Sequence, residues 1–580
     1  DRWHFRSDVV REVAYGMLTK LVRARRHAGV ASVMIGQPMA PIELVAHHAA
    51  TSAELVGEIG PVEGVMPNIK GHAVQLLLKA VRRSLDVGAF SQASRHATRA
   101  LELGPDSDAV GRELLLFRAE SAVGRREPNA GRADAEHALE ASVAAGDEHH
   151  EGKARRFLGQ IAQMSGNLTE ARRELSRSVD IFRELGDDIE LAASLRERGF
   201  SEVFGGSLAD ADWLLGEAEA LSEQLNDQRG RAWVRQHQAW VAFLSGDLEL
   251  AEKRLLLASG EFSELGDRSG SNWATGLLAY IRFFTMHFDE AEALAHAVRG
   301  EGLELGERWS PAMMDSLLAS IRLWTGNFVE AERLSRRALV EFRSLDDKFG
   351  LVQALAPRNR ALVALGRDEE AERGIEEVLS LGDAFGDLAF SVSAAAGAAV
   401  HLGLADRAVV MSELAVERMS VMGANAAEIS ATYALALCQV GREEEALALF
   451  ETIEVDFPYA YAVRALAAAI SGDDVSPLVD AAEVWSITGS SYLDRAIADV
   501  AAAAVEVRTG DVLGADHRLS RTATLVTEVG DQVAMNLVAQ GRAALLLSDD
   551  GSDRFPESEL RVGWRRVVTG LAGLTAHPVS

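Results

Sequence analysis

The chain has 580 residues, 48% hydrophobic and 25% charged, with only 12 Pro and 6% aromatics, a globular composition that excludes disordered and β-rich classes. A formal net charge of -28 opposes nucleic-acid phosphates and anionic membranes, so neither is expected as a partner. The single cysteine, Cys438, rules out an internal disulfide and reads as a structural thiol in a reducing cytoplasm.

That length exceeds one compact core, so several domains or an extended array must be considered. No charged stretch followed by an apolar core opens the chain. The longest weakly polar run, Ala389 to Ala405, is too short to cross a bilayer.

Residues 1–56 differ in pattern from the rest of the chain: Phe5-Arg6-Ser7-Asp8-Val9-Val10-Arg11-Glu12-Val13-Ala14-Tyr15 precedes a basic run, Arg23 to Arg26, and then Glu43 to His48. This stretch resembles the end of the helical or winged-helix domain that follows the nucleotide-binding core of large bacterial signalling ATPases of the STAND type. Adenylate cyclase-like proteins and transcriptional regulators are among them. Their F-x-H-x-x-[VI]-[RQ]-[ED]-x-[AV]-Y pattern has a histidine where Ser7 stands. The resemblance implies an upstream ATPase domain against which Arg23 to Arg26 pack; a plain amphipathic pair of capping helices is the other reading. Gly57 to Asn68, with three Gly and two Pro, reads as a linker over 57–68.

Residues 69–547 carry a repeat. Gly166, Gly206, Gly246, Gly326 and Gly366 keep a 40-residue frame in which Met286 takes the glycine's place. Five residues after each position stands alanine: Ala171, Ala211, Ala251, Ala291, Ala331 and Ala371. The step recurs less regularly at Gly88/Ala93, Gly403/Ala408, Gly441/Ala446 and Gly510/Ala515. A small side chain there predicts a close approach of two helices, where a larger one would overpack. Asn167, Ser207, Asp247 and Asn327 are predicted N-caps, and Asn167/Glu170 and Asn327/Glu330 have capping-box spacing. Gly186, Asn226, Gly266, Gly306 and Asp346 suit left-handed C-caps, each followed by an acidic residue that can start the next hairpin. One unit is therefore helix, turn, helix, turn.

With small residues at Gly159, Gly199, Ala239, Ala279 and Ala319 in the first helix, and at Ser178, Ala218, Ala258 and Ala338 in the second, the unit resembles the tetratricopeptide (TPR) repeat. It departs from that pattern in its 40-residue length and in lacking the proline near the end of the second helix. The resemblance implies an all-α fold, a right-handed superhelical solenoid of TPR-like helical hairpins. In 548–580, a break over Ser548 to Glu557 precedes an amphipathic segment around Trp564, expected to cap the solenoid before a frayed tail.

No phosphate-binding loop is present, since Gly152-Lys153 lacks the required glycine and hydroxyl residue. His47-His48 and His149-His150 lack the i, i+4 spacing of zinc ligands and read as solvated. Carboxylates are scattered. No catalytic residue, metal ligand or cofactor is expected.

The distinctive feature is aromatic. Six of nine tryptophans (Trp213, Trp233, Trp240, Trp273, Trp309 and Trp324) fall between residues 200 and 324. Trp233 and Trp273 share one position of the repeat frame, and Trp240 and Tyr280 another, seven residues on. In TPR repeats such positions resemble those lining the concave groove. Lys153, Arg156, Gln160, Arg196, Phe200, Gln236 and Arg360 occupy equivalent points. The candidate ligand-binding residues are therefore Trp233, Trp240, Trp273, Tyr280, Arg156, Arg196 and Gln236, suited to a protein, a peptide or a small anionic effector. The same rings could instead fill space between helices; Phe243, Leu244, Phe283 and Phe284 are assigned to that core.

The expectation is a non-catalytic binding scaffold or sensor region of a cytoplasmic signalling ATPase. A free-standing adaptor is the alternative, and part of an adenylate or guanylate cyclase polypeptide with its catalytic domain upstream a third. Arginine outnumbers lysine 53 to 6, which suggests a GC-rich bacterial genome.

Overall fold

The computed structural model describes residues 8–575 except 38, 206, 386–388, 423–425, 454, 456, 473, 474 and 547–560. Among them are twenty-nine helices, numbered α1 to α29 in chain order, and no strand. Sequential helices pack as antiparallel hairpins. Even-numbered helices such as α8 (Glu148–Met164), α10 (Asp188–Gly205), α12 (Gln228–Leu244), α14 (Arg268–Phe284), α16 (Trp309–Trp324) and α18 (Lys348–Ala364) also touch one another in succession. They form the inner wall of a helical solenoid, with α9 (Leu168–Leu185), α13 (Leu248–Leu265) and α17 (Phe328–Leu345) outside.

The repeat alanines explain the pairing. Ala171, Ala211, Ala251, Ala291, Ala331 and Ala371 are all fully buried. A Cβ on Gly159 would lie 2.5 Å from Leu175 Cγ, and one on Gly199 2.8 Å from Leu215 Cγ, so these helices meet at backbone distance.

The caps follow the chemistry of their residues. Asn167, Asp247 and Asn327 accept the N–H three residues on, and Ser207 accepts that of Ala209. Gly186, Asn226, Gly266, Gly306 and Asp346 all take a positive φ. The capping boxes do not form at Asn167 and Asn327. Each N-cap backbone N–H is already donated to the preceding inner helix, to Ala162 O and Arg322 O. Glu170 takes the Asn167 side-chain amide instead.

The acidic hairpin starters do two jobs. Asp187, Asp227, Asp267 and Asp347 cap their own helices. Three starters also receive a donor from 38 residues earlier: Arg229 to Asp267, Ser269 to Glu307 and Trp309 to Asp347. This ladder stitches one unit to the next along the inner wall.

The superhelix is tight. Arg229 donates to Leu85 O, 144 residues away, and Trp564 Nε1 to His401 O, 163 away. Successive superhelical turns thus touch after roughly four units. The hairpin turns make much of this contact: Gly88 meets Ser269, Gly326 meets Tyr492, and Met286 meets Gly489.

The ends are built differently. Residues 60–68 join α3 (Ile42–Ile59) to α4 (Ile69–Asp86), with Arg25 of α2 (Lys20–Ile35) donating to Glu63 O. At the other end α29 (Val562–Thr575) lies across α22 (Ala427–Val440), α24 (Pro458–Ser471), α26 (Tyr492–Arg508) and α28 (Gln532–Leu546), with Trp564 buried. Residues 5–7, Gly206, the break over Ser548 to Glu557 and residues 576–580 lie outside the described residues. Cys438 is buried, and burial pushes its thiol up.

Candidate binding chamber

The inner wall brings the expected aromatics together. On α12, Trp233 and Trp240 stand on one face, and on α14 Trp273 follows. Trp233 meets Phe262 at 5.0 Å and Trp273 at 6.4 Å between centroids. Trp273 stacks on Trp309 of α16 at 4.7 Å with the planes 6° apart. Trp240 meets Phe204 and Phe243 edge-on or tilted, at 5.8 and 5.9 Å. Tyr280 is partly buried: its hydroxyl donates to Met313 O at 3.3 Å, and burial pushes the phenol above its ordinary range. Phe284, expected in the core, is 45% exposed, its ring meeting only the edges of Phe243 and Phe283 among the aromatics.

The basic edge is spent internally. Burial disfavours the Glu190 carboxylate, but Arg156 and Lys153 overcome it and hold its pKa at about 2. Arg196 pairs with Glu197 at 2.7 Å. Gln236 is fully buried, and neither amide atom has a hydrogen-bond partner among the described residues. Next to it His237 stacks on Phe200 at 4.0 Å. Burial, with Arg196 adding to it against Glu197, drives the His237 pKa down to about 3.

Arg126, outside the residues expected to line the groove, is a cation with no ion-pair partner among the described residues, as is the expected Arg360, which lies over the Trp324 ring at 4.4 Å. Arg126 sits in the turn between α6 (Asp108–Gly124) and α7 (Pro128–Ala145), with φ at 58°. Its guanidinium reaches across the superhelix to lie 4.6 Å from the Trp309 ring centroid and 5.4 Å from that of Trp273. Among the described residues no side-chain or backbone oxygen accepts from it within hydrogen-bond distance. Asp347 is its nearest charge partner, yet that carboxylate is already engaged by Trp309 Nε1 and Gly350 N–H. A sequence signal did exist: Arg126 falls 40 residues before Gly166, in the glycine's place of the repeat frame.

Arg126, Phe200, Phe204, Trp240, Trp309 and Phe349 line a cavity of about 30 Å³, room for one or two water molecules. Trp240 Nε1 is buried there without a partner. The chamber therefore offers ring faces and two unanswered donors, a guanidinium and an indole N–H. Among the described residues no His, Cys, Asp or Glu cluster is placed to hold a metal ion, and no helix is long and apolar enough to cross a membrane.

No protein-family model matches the chain, and no curated protein does. Among solved structures it is similar to a Rap protein complexed with competence and sporulation factor, at 12% identity and a TM-score of 0.43, over 66% of this chain and 96% of that one. It is also similar to yeast Tom70, at 15% identity and a TM-score of 0.32, over 75% of this chain and 100% of that one.

Proposed function

We propose that the chain is a non-catalytic binding scaffold whose ligand, a protein, a peptide or a small anionic effector, is recognised on the inner wall beside Arg126. The observation that carries this reading is the pair of unanswered donors, Arg126 and Trp240 Nε1, on one aromatic-lined cavity. A buried donor without an acceptor, as Trp240 Nε1 is, costs about 1–3 kcal/mol, so an acceptor supplied from outside gains that much on binding, with the half-buried Arg126 guanidinium beside it to hold an anionic group. The cavity admits one small acceptor group and not a folded surface. The ligand therefore inserts a carbonyl or carboxylate while the rest of it lies along Trp233 and Trp273. Arg156 and Arg196 shape the wall through Glu190 and Glu197.

The resemblance of residues 5–15 to the junction of signalling ATPases supports the finer reading. In it the solenoid is the sensor arm of a cytoplasmic ATPase and relays ligand occupancy to a domain upstream. Titration with fluorescent random peptides bearing a free terminal carboxylate, and with the same peptides amidated, tests the site. Saturable binding that Arg126→Gln removes supports it; equal binding by wild type and variant would place the site elsewhere.

A further inference from the structure

The N-terminal end holds a cluster that the sequence does not announce. His27 of α2 meets His47 and His48 of α3, with ring centroids 6.3 and 4.9 Å away, and His47 and His48 lie 5.3 Å apart. His27 Nδ1 and His48 Nδ1 are 2.7 Å apart, and Tyr15 Oη of α1 (Asp8–Gly16) is 2.8 Å from His27 Nε2. Arg99 of α5 (Phe90–Leu103) donates to His47 Nδ1 at 3.1 Å, while Glu54 and Thr51 hold its other nitrogens. Arg23 lies over the Tyr15 ring at 4.7 Å. Glu43 of α3, with Arg95 and His96 of α5, completes the charged surroundings.

Hydrogen-bond inventory fixes the protonation this arrangement needs. Between two Nδ1 atoms at 2.7 Å one ring donates and the other accepts, so at least one of His27 and His48 is neutral. His47 Nδ1 faces an Arg99 donor and must also be bare. A proton on the accepting Nδ1 sets two N–H groups head to head, and one on His47 sets an imidazolium against a guanidinium. We propose that the joint between α2 and α3 is an acid-labile latch, closed while His27, His47 and His48 are neutral and loosened when they take up protons.

Burial first, then His48, His47 and Arg99, holds the His27 pKa down at about 4, against Glu54. Burial first also lowers His47, His48 and His96. A histidine whose folded pKa is depressed favours the closed state fully above about pH 6.5. That contribution is lost as pH falls from there toward 4. Because His27 is only partly buried, solvent screening reduces the effect, and we expect the opening equilibrium of α2 to rise about tenfold between pH 7.5 and 5. Ser52 Oγ, which donates to Ala24 O at 2.9 Å, and the packing of Ala31 are indifferent to pH and keep α2 attached.

Hydrogen exchange on the full chain at the two pH values, corrected for intrinsic rates, reads the latch directly. The expected result is faster exchange across residues 20–35 in acid, with α14 and α16 unchanged. His27→Asn and His48→Asn together, neutral at both pH values, should flatten that difference. Equal acid sensitivity in wild type and double variant would overturn the proposal. Should the double variant lose the N-terminal helices, histidine Cε1 NMR titration of the wild type decides instead. His27 and His48 titrating below 6.5 support the latch, and values at or above it sink it.

Discussion

Arg126 lies over Trp309, its guanidinium carbon 4.6 Å from the ring centroid, although a whole superhelical turn of chain separates them. It shares with Met286 a turn position where the other units of the 40-residue frame carry glycine. Both residues accept a left-handed backbone and both touch the neighbouring superhelical turn. The hairpin turn is thus a backbone element and also the point where the superhelix closes on itself.

Arg126→Ala keeps the positive φ and removes the stacking guanidinium. A desolvated cation over indole is worth up to about 2 kcal/mol, so denaturant melts should show a loss of about 1–2 kcal/mol. Small-angle scattering should show a wider particle. An unchanged melt would mean that desolvation of the guanidinium cancels its stacking and that other contacts close the superhelix.

Met286→Gly makes the complementary change. A left-handed backbone at a residue bearing a Cβ costs about 1–2 kcal/mol, while this side chain offers only partial packing against Gly489. Thermal melting should therefore show a gain of up to about 1 kcal/mol. A clear loss would show that the Met286 contact with Gly489 outweighs the backbone strain.

Ala251 tests the helix register. It is fully buried between α12 and α13, so Ala251→Arg should cost about 3 kcal/mol or more. Glu252 is a poor control because it accepts two bonds from Arg282. The exposed Lys253 serves: Lys253→Ala should change the melt by less than about 0.5 kcal/mol. Similar melts for the two variants would refute the register.

The repeat frame was legible because a helix contact that tolerates only Ala or Gly, and a turn that needs positive φ, each restrict the residue choice at fixed spacing. Ala171, Gly186 and Asn167 announce themselves in that way. The placement of Trp233, Trp240 and Trp273 on one wall followed from the same frame. The state of the wall did not. Whether Arg156 is free depends on Glu190, one unit later, and whether Tyr280 is open depends on Met313. The reach of Arg126 to Trp309 depends on superhelical pitch, a sum of small unit-to-unit rotations that no single residue encodes. The histidine cluster escaped because His27 and His48 meet across two helices, whereas the adjacency of His47 and His48 said little.

His237 makes stability depend on pH. Its folded pKa of about 3 lies below the unfolded value, so its contribution is complete above about pH 6.5 and is lost as pH falls toward 3. Below pH 6 wild-type stability should fall about 1 kcal/mol per pH unit more steeply than that of His237→Gln. Parallel pH profiles for the two proteins would show that His237 keeps an ordinary pKa.

Trp240 and Tyr280 share a repeat position but are predicted to behave differently. Tyr280 is partly buried with its hydroxyl bonded to Met313 O, so Tyr280→Ala should cost about 3 kcal/mol, the low end for core aromatics. Trp240 carries a buried indole N–H without a partner, and Trp240→Phe removes that donor while keeping most of the ring. Relief of the orphan donor, about 1–3 kcal/mol, offsets the small void left by the lost ring atoms, so stability should change by less than about 1 kcal/mol. If the chamber recognises an acceptor group, the same variant should weaken binding of the free-carboxylate peptides about tenfold, one charge-independent hydrogen bond's worth. Paired denaturant melts and peptide titrations separate the outcomes. A Trp240→Phe variant that melts as wild type and binds as wild type would leave the indole N–H without a role and confine recognition to Arg126.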